Sequence, residues 1–249
     1  MTDTSGPGAG STALVTGATS GIGQDIARQL LEAGMTVHVA GRDPERLRST
    51  LEGFAAFGDA ARPLLLDVTD PATVERAAAE VGTLDVLVNN AGVNPGSESP
   101  EDTSLDLLRR AYETNVFAVV AVTSAFLPAL RRSAHPRVVN VSSGTGSLTW
   151  SSSDNPQFDW RLPQGRGMAY RSSKAAMNAV TLYTAQSVAS EGIKVNALAP
   201  GLRLTRLVEG MSRGGDPAEA AAGAVRLALL PDDGPTGGFF SWDGTPIPW

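Results

Sequence analysis

The stretch Thr16-Gly17-Ala18-Thr19-Ser20-Gly21-Ile22-Gly23 decides the fold. A short apolar run, Thr12 to Thr16, precedes it, and a helical pattern from about Gly21 to Ala33 follows. Glycines between a strand and a helix let the backbone approach a pyrophosphate, whose charge then lies at unpaired helix N–H groups. The spacing, Gly-x-x-x-Gly-x-Gly, also fits a purely structural turn, but its place between strand and helix favours a dinucleotide site. The predicted pyrophosphate contacts are Gly17, Ser20, Gly21, Ile22 and Gly23.

Composition excludes several classes of protein. The 249 residues are 42% hydrophobic and 18% charged, which is enough apolar material for one large core. The net charge of -6, without a run of Lys or Arg, argues against a nucleic-acid partner. With no cysteine and two histidines, disulfides, thiol nucleophiles and Cys/His metal sites are excluded, so no metal is expected.

The segment Met1 to Gly10 is polar and glycine-rich, without the basic and apolar regions of a targeting signal. The longest apolar run, Val116 to Val122, is too short to cross a bilayer. These features predict a cytoplasmic location and no membrane partner. Residues 1–11 are predicted to form a flexible tail before a single domain, 12–249.

Strand and helix patterns alternate along the chain. Helices are predicted at about 21–33, 44–53, 71–81, 105–130, 170–190 and 218–229, and strands at 12–16, 37–40, 64–66, 86–88, 138–141 and 194–198. This alternation is typical of an α/β fold, a Rossmann-like doubly wound parallel sheet with helices on both faces. A long segment without periodicity, within residues 144–169, is predicted to be a loop insertion.

The second strand ends in Gly41-Arg42, where dinucleotide folds distinguish the two nicotinamide cofactors. An acidic residue there would hold a ribose 2′-hydroxyl, whereas the guanidinium of Arg42 suits a 2′-phosphate. NADP(H) is therefore expected in preference to NAD(H), the alternative being a solvent-facing arginine. Asp67 and Val68 follow the third strand and are predicted to flank the adenine, although Asp67 also fits a simple turn.

Further motifs complete a resemblance. In order, they are Asn89-Asn90-Ala91-Gly92, Asn115, Val141-Ser142-Ser143, Tyr170-Arg171-Ser172-Ser173-Lys174 and Pro200-Gly201. Together with the glycine turn they resemble the short-chain dehydrogenase/reductase family, in its carbonyl-reductase-like branch, from about Thr12 to Trp249. The resemblance implies cofactor contacts at Asn90, Ala91, Gly92, Tyr170, Lys174, Pro200 and Gly201.

The resemblance also implies the roles of a catalytic tetrad. Tyr170 is the proton donor to a carbonyl, Ser143 stabilises the developing oxyanion, and Asn115 holds a water that links Lys174 to solvent. Lys174, one helical turn after Tyr170, is expected to lower the pKa of the tyrosine together with the positive nicotinamide of the oxidised cofactor, and to contact the nicotinamide ribose.

Two segments depart from the family pattern. In the insertion, Trp150, Phe158 and Trp160 are predicted either to form a wall over the substrate or to anchor the loop. In the predicted substrate loop, 200–216, Arg203 stands with Arg206 and Arg213 where a clamp for a carboxylate or phosphate is one interpretation. A solvated basic loop is another, and an inward Arg203 that displaces the nicotinamide is a third.

The leading hypothesis is an NADPH-dependent reductase of a ketone or aldehyde, acting on a small molecule. The alternatives are a non-redox cyclase, dehydratase or epimerase, motivated by Arg203 and the insertion, and a non-enzymatic NADP(H)-binding sensor. The resemblance is compatible with a homodimer or homotetramer, and a monomer stays open.

Overall fold

The computed structural model describes residues 6–155, 161, 164–205 and 214–249. The described strands are β1 (Thr12–Val15), β2 (Thr36–Gly41), β3 (Ala61–Leu65), β4 (Val86–Asn89), β5 (Arg137–Val141), β6 (Lys194–Ala199) and β7 (Phe239–Ser241). They form one parallel sheet in the order β3-β2-β1-β4-β5-β6-β7. The chain changes direction across the sheet between β1 and β4, and doubly wound sheets bind ligands at the carboxyl ends of such strands.

The described helices are α1 (Gly21–Glu32), α2 (Pro44–Gly53), α3 (Pro71–Glu80), α4 (Leu105–Tyr112), α5 (Ala118–Leu130), α6 (Leu148–Ser152), α7 (Met168–Ser187) and α8 (Pro217–Ala228). A π-helical turn, Glu113–Phe117, joins α4 to α5. The sequence encodes three of the starts directly, because Asp43, Asp70 and Asp216 each cap a helix whose first residue is proline.

The core has two layers, one on each face of the sheet. Alternate strand residues face opposite ways, so Ala13 and Val15 pack with α1 and α8, whereas Leu14 packs with α3, α5 and the end of α7. This arrangement confirms the predicted α/β fold with helices on both faces of a single domain.

Three local predictions need correction. The insertion is not wholly irregular, because a 3₁₀ turn at Gly144–Gly146 and the short helix α6 lie at its start. The strand β7 was not predicted, since it has only three residues after a Gly-Gly pair. The strand β3 begins at Ala61, before the apolar run, because the exposed Arg62 and Pro63 lie on an edge strand.

Part of the predicted tail, residues 6–11, is described and contacts the domain. Gly10 N–H donates to the Gly34 carbonyl oxygen at 3.0 Å, and Ser11 O accepts from Thr36 N–H at 2.9 Å. Ordered contacts therefore begin before Thr12.

The helical stretch Leu105–Leu130 spans 26 residues and contains a window with a mean hydropathy of 1.5, of which 50% is buried. Among the described residues it is the one helix with the length and composition to cross a bilayer. The uninterrupted apolar run Val116 to Val122 did not indicate such a helix, because the window also includes polar residues. Core helices of globular proteins also meet these criteria, and Val122, Phe126 and Leu130 are buried in the layer described above.

Candidate active site

The glycine turn is fastened to the turn that follows β4. Asn90 Nδ2 donates to the carbonyl oxygens of Thr16 at 2.9 Å and Gly17 at 3.2 Å. Thr16 Oγ1 in return accepts from the N–H groups of Asn90 and Ala91, each at 3.0 Å. A Cβ on Gly23 would overlap the Asn90 side chain and the Gly17 carbonyl oxygen. Both amide hydrogens of Asn90 thus hold the turn itself.

The N-terminus of α1 fits the pyrophosphate of a dinucleotide. Ser20 makes no capping hydrogen bond with its side chain, and the first turn carries no acidic residue. Helix N–H groups without a cap, together with the helix dipole, favour an anion. Gly17 and Gly21 have φ angles of +64° and +56°, which permit the tight approach.

The predicted discriminating residue lies at the end of β2. Arg42 is exposed and has no hydrogen-bond or ion-pair partner within the described part of the chain. A Cβ on Gly41 would lie 2.5 Å from Thr19 Cγ2, so glycine lets the end of β2 approach the glycine turn. Arg42 is therefore a solvent-facing cation. This placement fits the interpretation of a solvent-facing arginine, and it also leaves the guanidinium free to reach a 2′-phosphate.

Asp67 serves its own turn. Its Oδ1 accepts from Thr69 Oγ1 at 2.7 Å and from Thr69 N–H at 3.0 Å. Burial acts to raise the pKa of Asp67, but these hydrogen bonds and the Arg42 charge outweigh it and hold the pKa below its usual value. These contacts favour the interpretation of Asp67 as a turn residue. Val68 and Ala91 line a cavity of about 10 Å³ beside Thr16.

Ser143 and Tyr170 meet at the carboxyl end of β5. Ser143 Oγ lies 2.9 Å from Thr145 Oγ1 and accepts from Thr145 N–H at 3.3 Å. Tyr170, in the first turn of α7, lies close enough to Ser143 for the serine side chain to lower its pKa. A Cβ on Gly146 would lie 2.8 Å from the Lys174 carbonyl carbon, so the 3₁₀ turn packs directly on α7. The insertion leaves the predicted serine and tyrosine together.

Lys174 and Asn115 lie behind this pair. Lys174 Nζ donates to the Val141 carbonyl oxygen at 2.8 Å and lies 5.8 Å from the centre of the Tyr170 ring. Asn115, fully buried in the π-helical turn, accepts from Val93 N–H at 2.9 Å. Its Nδ2 donates to Val93 O and Ser173 Oγ, both at 2.9 Å. Both amide hydrogens of Asn115 thus fix its neighbours, and one Oδ1 lone pair is left for a water.

The predicted lowering of the Tyr170 pKa by Lys174 and the positive nicotinamide of an oxidised cofactor stays a prediction. In the protein chain alone, burial raises the pKa of Tyr170 to about 12, and the Ser143 side chain opposes this shift. Burial also lowers the pKa of Lys174 to about 7. Lys174 Nζ is bonded to the Val141 carbonyl oxygen, and the raised pKa keeps the phenol of Tyr170 neutral at ordinary pH.

Lys174→Met is expected to stabilise the cofactor-free protein at pH 7. Because the folded pKa lies below the unfolded one, the unfolded chain binds more protons between the two values, and stability rises with pH from about 7 to 10.5. Removing the amine abolishes the free-energy cost of burying the ammonium or deprotonating it, but it leaves the Val141 carbonyl oxygen without a hydrogen bond. We expect a net gain of about 2 kcal/mol, or roughly 4–8 °C in Tm.

Thermal unfolding at pH 7 and pH 10 measures this effect, and the gain should shrink at the higher pH. Lys194→Met, at the other lysine of the sequence, is the matched control and should show no gain. A lower Tm for Lys174→Met at pH 7 would show that Lys174 stabilises the fold.

Trp150 anchors the insertion and does not line a substrate wall. It is 7% exposed and packs with Ala197, Phe239 and Ile247. The ring lies inside this cluster because Ser147 caps α6 and fixes its direction, with Ser147 Oγ accepting from Trp150 N–H at 3.1 Å. The predictions for Phe158, Trp160, Arg206 and Arg213 lie outside the described residues.

Arg203 is neither a substrate clamp nor a solvated loop residue. Its side chain is 5% exposed and pairs with Glu219 on α8. The guanidinium also donates to Pro200 O at 2.6 Å and stacks on Trp242 at 4.3 Å from the ring centroid. A buried cation with these partners is not available to an anionic substrate.

Three supporting residues were not predicted. Thr16 joins the two cofactor turns, Thr145 contacts the Ser143 hydroxyl, and Ser173 links Asn115 to the Tyr170 carbonyl oxygen at 2.7 Å. Thr16 and Ser173 belong to motifs that the sequence already singled out, so their positions beside Gly17 and Lys174 were the available signal. Thr145 had none.

Comparisons with known proteins agree with this geometry. A family model described as short chain dehydrogenase matches residues 11–155 and 160–214. Salutaridine reductase of Papaver bracteatum is 32% identical, with 92% of this chain and 93% of that protein covered. The rhamnolipids biosynthesis 3-oxoacyl-[acyl-carrier-protein] reductase of Pseudomonas aeruginosa is 33% identical, with 96% and 95% covered.

Among solved structures, the NADPH-bound carbonyl reductase from chicken fatty liver superposes with a TM-score of 0.85 at 29% identity, covering 97% of this chain and all of that one. The family model matches most of the chain, and the fold agrees with that match. The chain belongs to the short-chain dehydrogenase/reductase family, whose members are oxidoreductases that use nicotinamide cofactors.

Proposed function

We propose that this protein is an NADPH-dependent reductase that converts a ketone or aldehyde into an alcohol, with Tyr170 as the proton donor. The observation that carries the proposal is that Ser143 and Tyr170 come together at the end of β5, with Lys174 Nζ 5.8 Å from the centre of the Tyr170 ring. This pair lies on the sheet edge that also carries the uncapped glycine turn.

The chemistry divides between the cofactor and the side chains. A bound reduced nicotinamide supplies the hydride that the carbonyl carbon accepts. Ser143 donates a hydrogen bond to the carbonyl oxygen as negative charge develops there. Tyr170 Oη gives its proton to the same oxygen, and the raised pKa of the half-buried phenol keeps that proton in place until the charge appears. Lys174 and the water beside Asn115 return a proton to the tyrosinate.

The direct test is turnover with a panel of activated ketones and aldehydes. Purified protein should oxidise NADPH and form alcohol in equal amounts, and kcat/KM should be higher with NADPH than with NADH. Conversion of a substrate without consumption of the cofactor would support a cyclase, dehydratase or epimerase instead. Tight binding of NADPH without turnover on the whole panel would support a sensor.

The burial of Arg203 weakens the non-redox alternative. That hypothesis was motivated by Arg203 and the insertion. The guanidinium of Arg203, however, is engaged with Glu219, Pro200 and Trp242. Among the described residues, the tetrad is the only feature of the site that indicates a class of reaction.

Arg42→Ala is expected to raise the KM for NADPH by about 10- to 100-fold, because a hydrogen-bonded charge pair contributes about 1.5–3 kcal/mol. The KM for NADH should change little, since that cofactor has no 2′-phosphate. Arg48→Ala is the matched control, because Glu45 and Glu52 hold that exposed guanidinium within α2. Equal effects of Arg42→Ala on both cofactors would contradict the assignment.

A further inference from the structure

Arg203 connects three parts of the fold that surround the turn after β6. Its Nε donates to Pro200 O at 2.6 Å, while Nη1 donates to Glu219 Oε2 at 2.5 Å and Asp216 O at 3.4 Å. Its guanidinium lies over Trp242, whose ring would also meet a Cβ on Gly201 at 3.2 Å. Pro200 and Gly201 are predicted cofactor contacts, and they follow β6 beside β5, the strand that leads to Ser143. The arginine therefore ties the part of the cofactor site nearest to Ser143 to α8 and to the segment after β7.

The backbone around Arg203 is paired as well. Gly215 N–H donates to Leu202 O at 2.9 Å, and Leu204 N–H donates to Gly215 O at 3.1 Å. A Cβ on Gly214 would lie 2.8 Å from the Arg203 carbonyl carbon, and one on Gly215 would overlap the guanidinium. The segments 202–204 and 214–215 are thus held together at the buried arginine.

This arrangement reaches the glycine turn by two routes. Thr205 Cγ2 lies 3.4 Å from the position of a Cβ on Gly21, so the segment after Arg203 touches the start of α1. Gln29 of α1 also donates to Ala218 O of α8 at 2.9 Å. The Arg203 contacts consequently relate the turn after β6 to the helix that is predicted to bind the pyrophosphate.

We infer that Arg203 is a positioning residue that pre-organises the nicotinamide half of the cofactor site, acting through Pro200 and Gly201 and not through contact with the substrate. This role rests on the proposed function. A site held in its binding conformation saves the ordering cost of the turn when the cofactor binds. Within the described residues, Arg42 makes no contact with Arg203, so binding of the adenosine and its 2′-phosphate should be independent of Arg203.

The test compares two ligands on Arg203→Met. The Kd of NADPH, measured by fluorescence titration, should rise by about 10-fold, which corresponds to 1.4 kcal/mol. The Kd of adenosine 2′-monophosphate, which carries the adenosine and the 2′-phosphate without the pyrophosphate, should stay within about 2-fold. Arg203→Lys should not restore NADPH binding, because an ammonium cannot stack on Trp242 while bridging Pro200 and Glu219. Arg42→Ala should weaken both ligands.

Hydrogen exchange of the cofactor-free protein gives an independent readout. The amides of Leu204 and Gly215 should exchange about 10-fold faster in Arg203→Met, since local opening there costs less. Arg226→Met, at an exposed arginine of α8, should leave both amides protected.

Two results would overturn the inference. Unchanged exchange, or equal weakening of NADPH and adenosine 2′-monophosphate, would show that Arg203 does not pre-organise this half of the site. If Arg203→Met does not fold, Glu219→Gln keeps the acceptor without the charge and should give the same pattern at about 3-fold. A parent protein that binds neither ligand refutes the proposed function, whereas the exchange comparison would still report on the contacts of Arg203.

Discussion

Tyr170→Phe is expected to lower kcat for carbonyl reduction by at least ~100-fold while NADPH still binds, because a positioned general acid contributes about 10²- to 10⁴-fold. The ring of phenylalanine fills the same space beside Ser143 and Lys174, so the loss isolates the proton. Ser143 alone can polarise the carbonyl, but its hydroxyl is too weak an acid to replace the phenol as proton donor. Steady-state kinetics with one active carbonyl substrate, together with a fluorescence titration of NADPH, measure the two quantities.

Tyr183→Phe is the matched control, since Tyr183 lies on the same helix, α7, with 66% of its surface exposed. It should retain full activity. A Tyr170→Phe variant that keeps more than about a tenth of the parental kcat would place the proton donor elsewhere.

Gly23→Ala is expected to weaken NADPH binding by at least about 100-fold and to lower Tm, because backbone atoms that cannot move aside meet the new methyl group. The Cβ would overlap the side chain of Asn90 and the carbonyl oxygen of Gly17. Asn90 would then lose its hydrogen bonds to the glycine turn, and the turn would move away from the position that fits a pyrophosphate. Titration of NADPH and thermal unfolding measure the two effects.

Gly53→Ala is the control for a glycine-to-alanine change in a helix. No atom lies within 4 Å of the position of its Cβ, and its φ angle is not positive. Binding of NADPH should be unchanged, and stability should rise by about 0.5 kcal/mol. Normal cofactor affinity in Gly23→Ala would mean that the glycine turn tolerates a displacement that the geometry excludes.

The order of elements was predictable because local signals agree with the tertiary structure. The Asp-Pro pairs that start α2, α3 and α8 fix those helices in the sequence itself, and the apolar strand residues reflect burial on both faces of the sheet. The strand β7 was missed because it is stabilised by pairing with β6 and by the packing of Phe239 on Trp249, both distant in sequence.

The proximity of Ser143 and Tyr170 was predictable to the same extent, because Ser143 follows the end of β5 and Tyr170 lies in the first turn of α7. The directions of the side chains were not. Lys174 points to Val141 O, which the i to i+4 spacing from Tyr170 does not specify. The partners of Arg203 come from Glu219 and Trp242, and no local pattern links those residues to it.

Transfer of an isotope tests the central claim most directly. The protein is incubated with NADPH that carries deuterium at the transferable position, and the alcohol formed from an active ketone or aldehyde is analysed by mass spectrometry. We expect one deuterium on the carbinol carbon for each NADPH consumed, and loss of this product in Tyr170→Phe. A converted substrate without deuterium at that carbon would contradict hydride transfer to a carbonyl, and with it the proposed reductase.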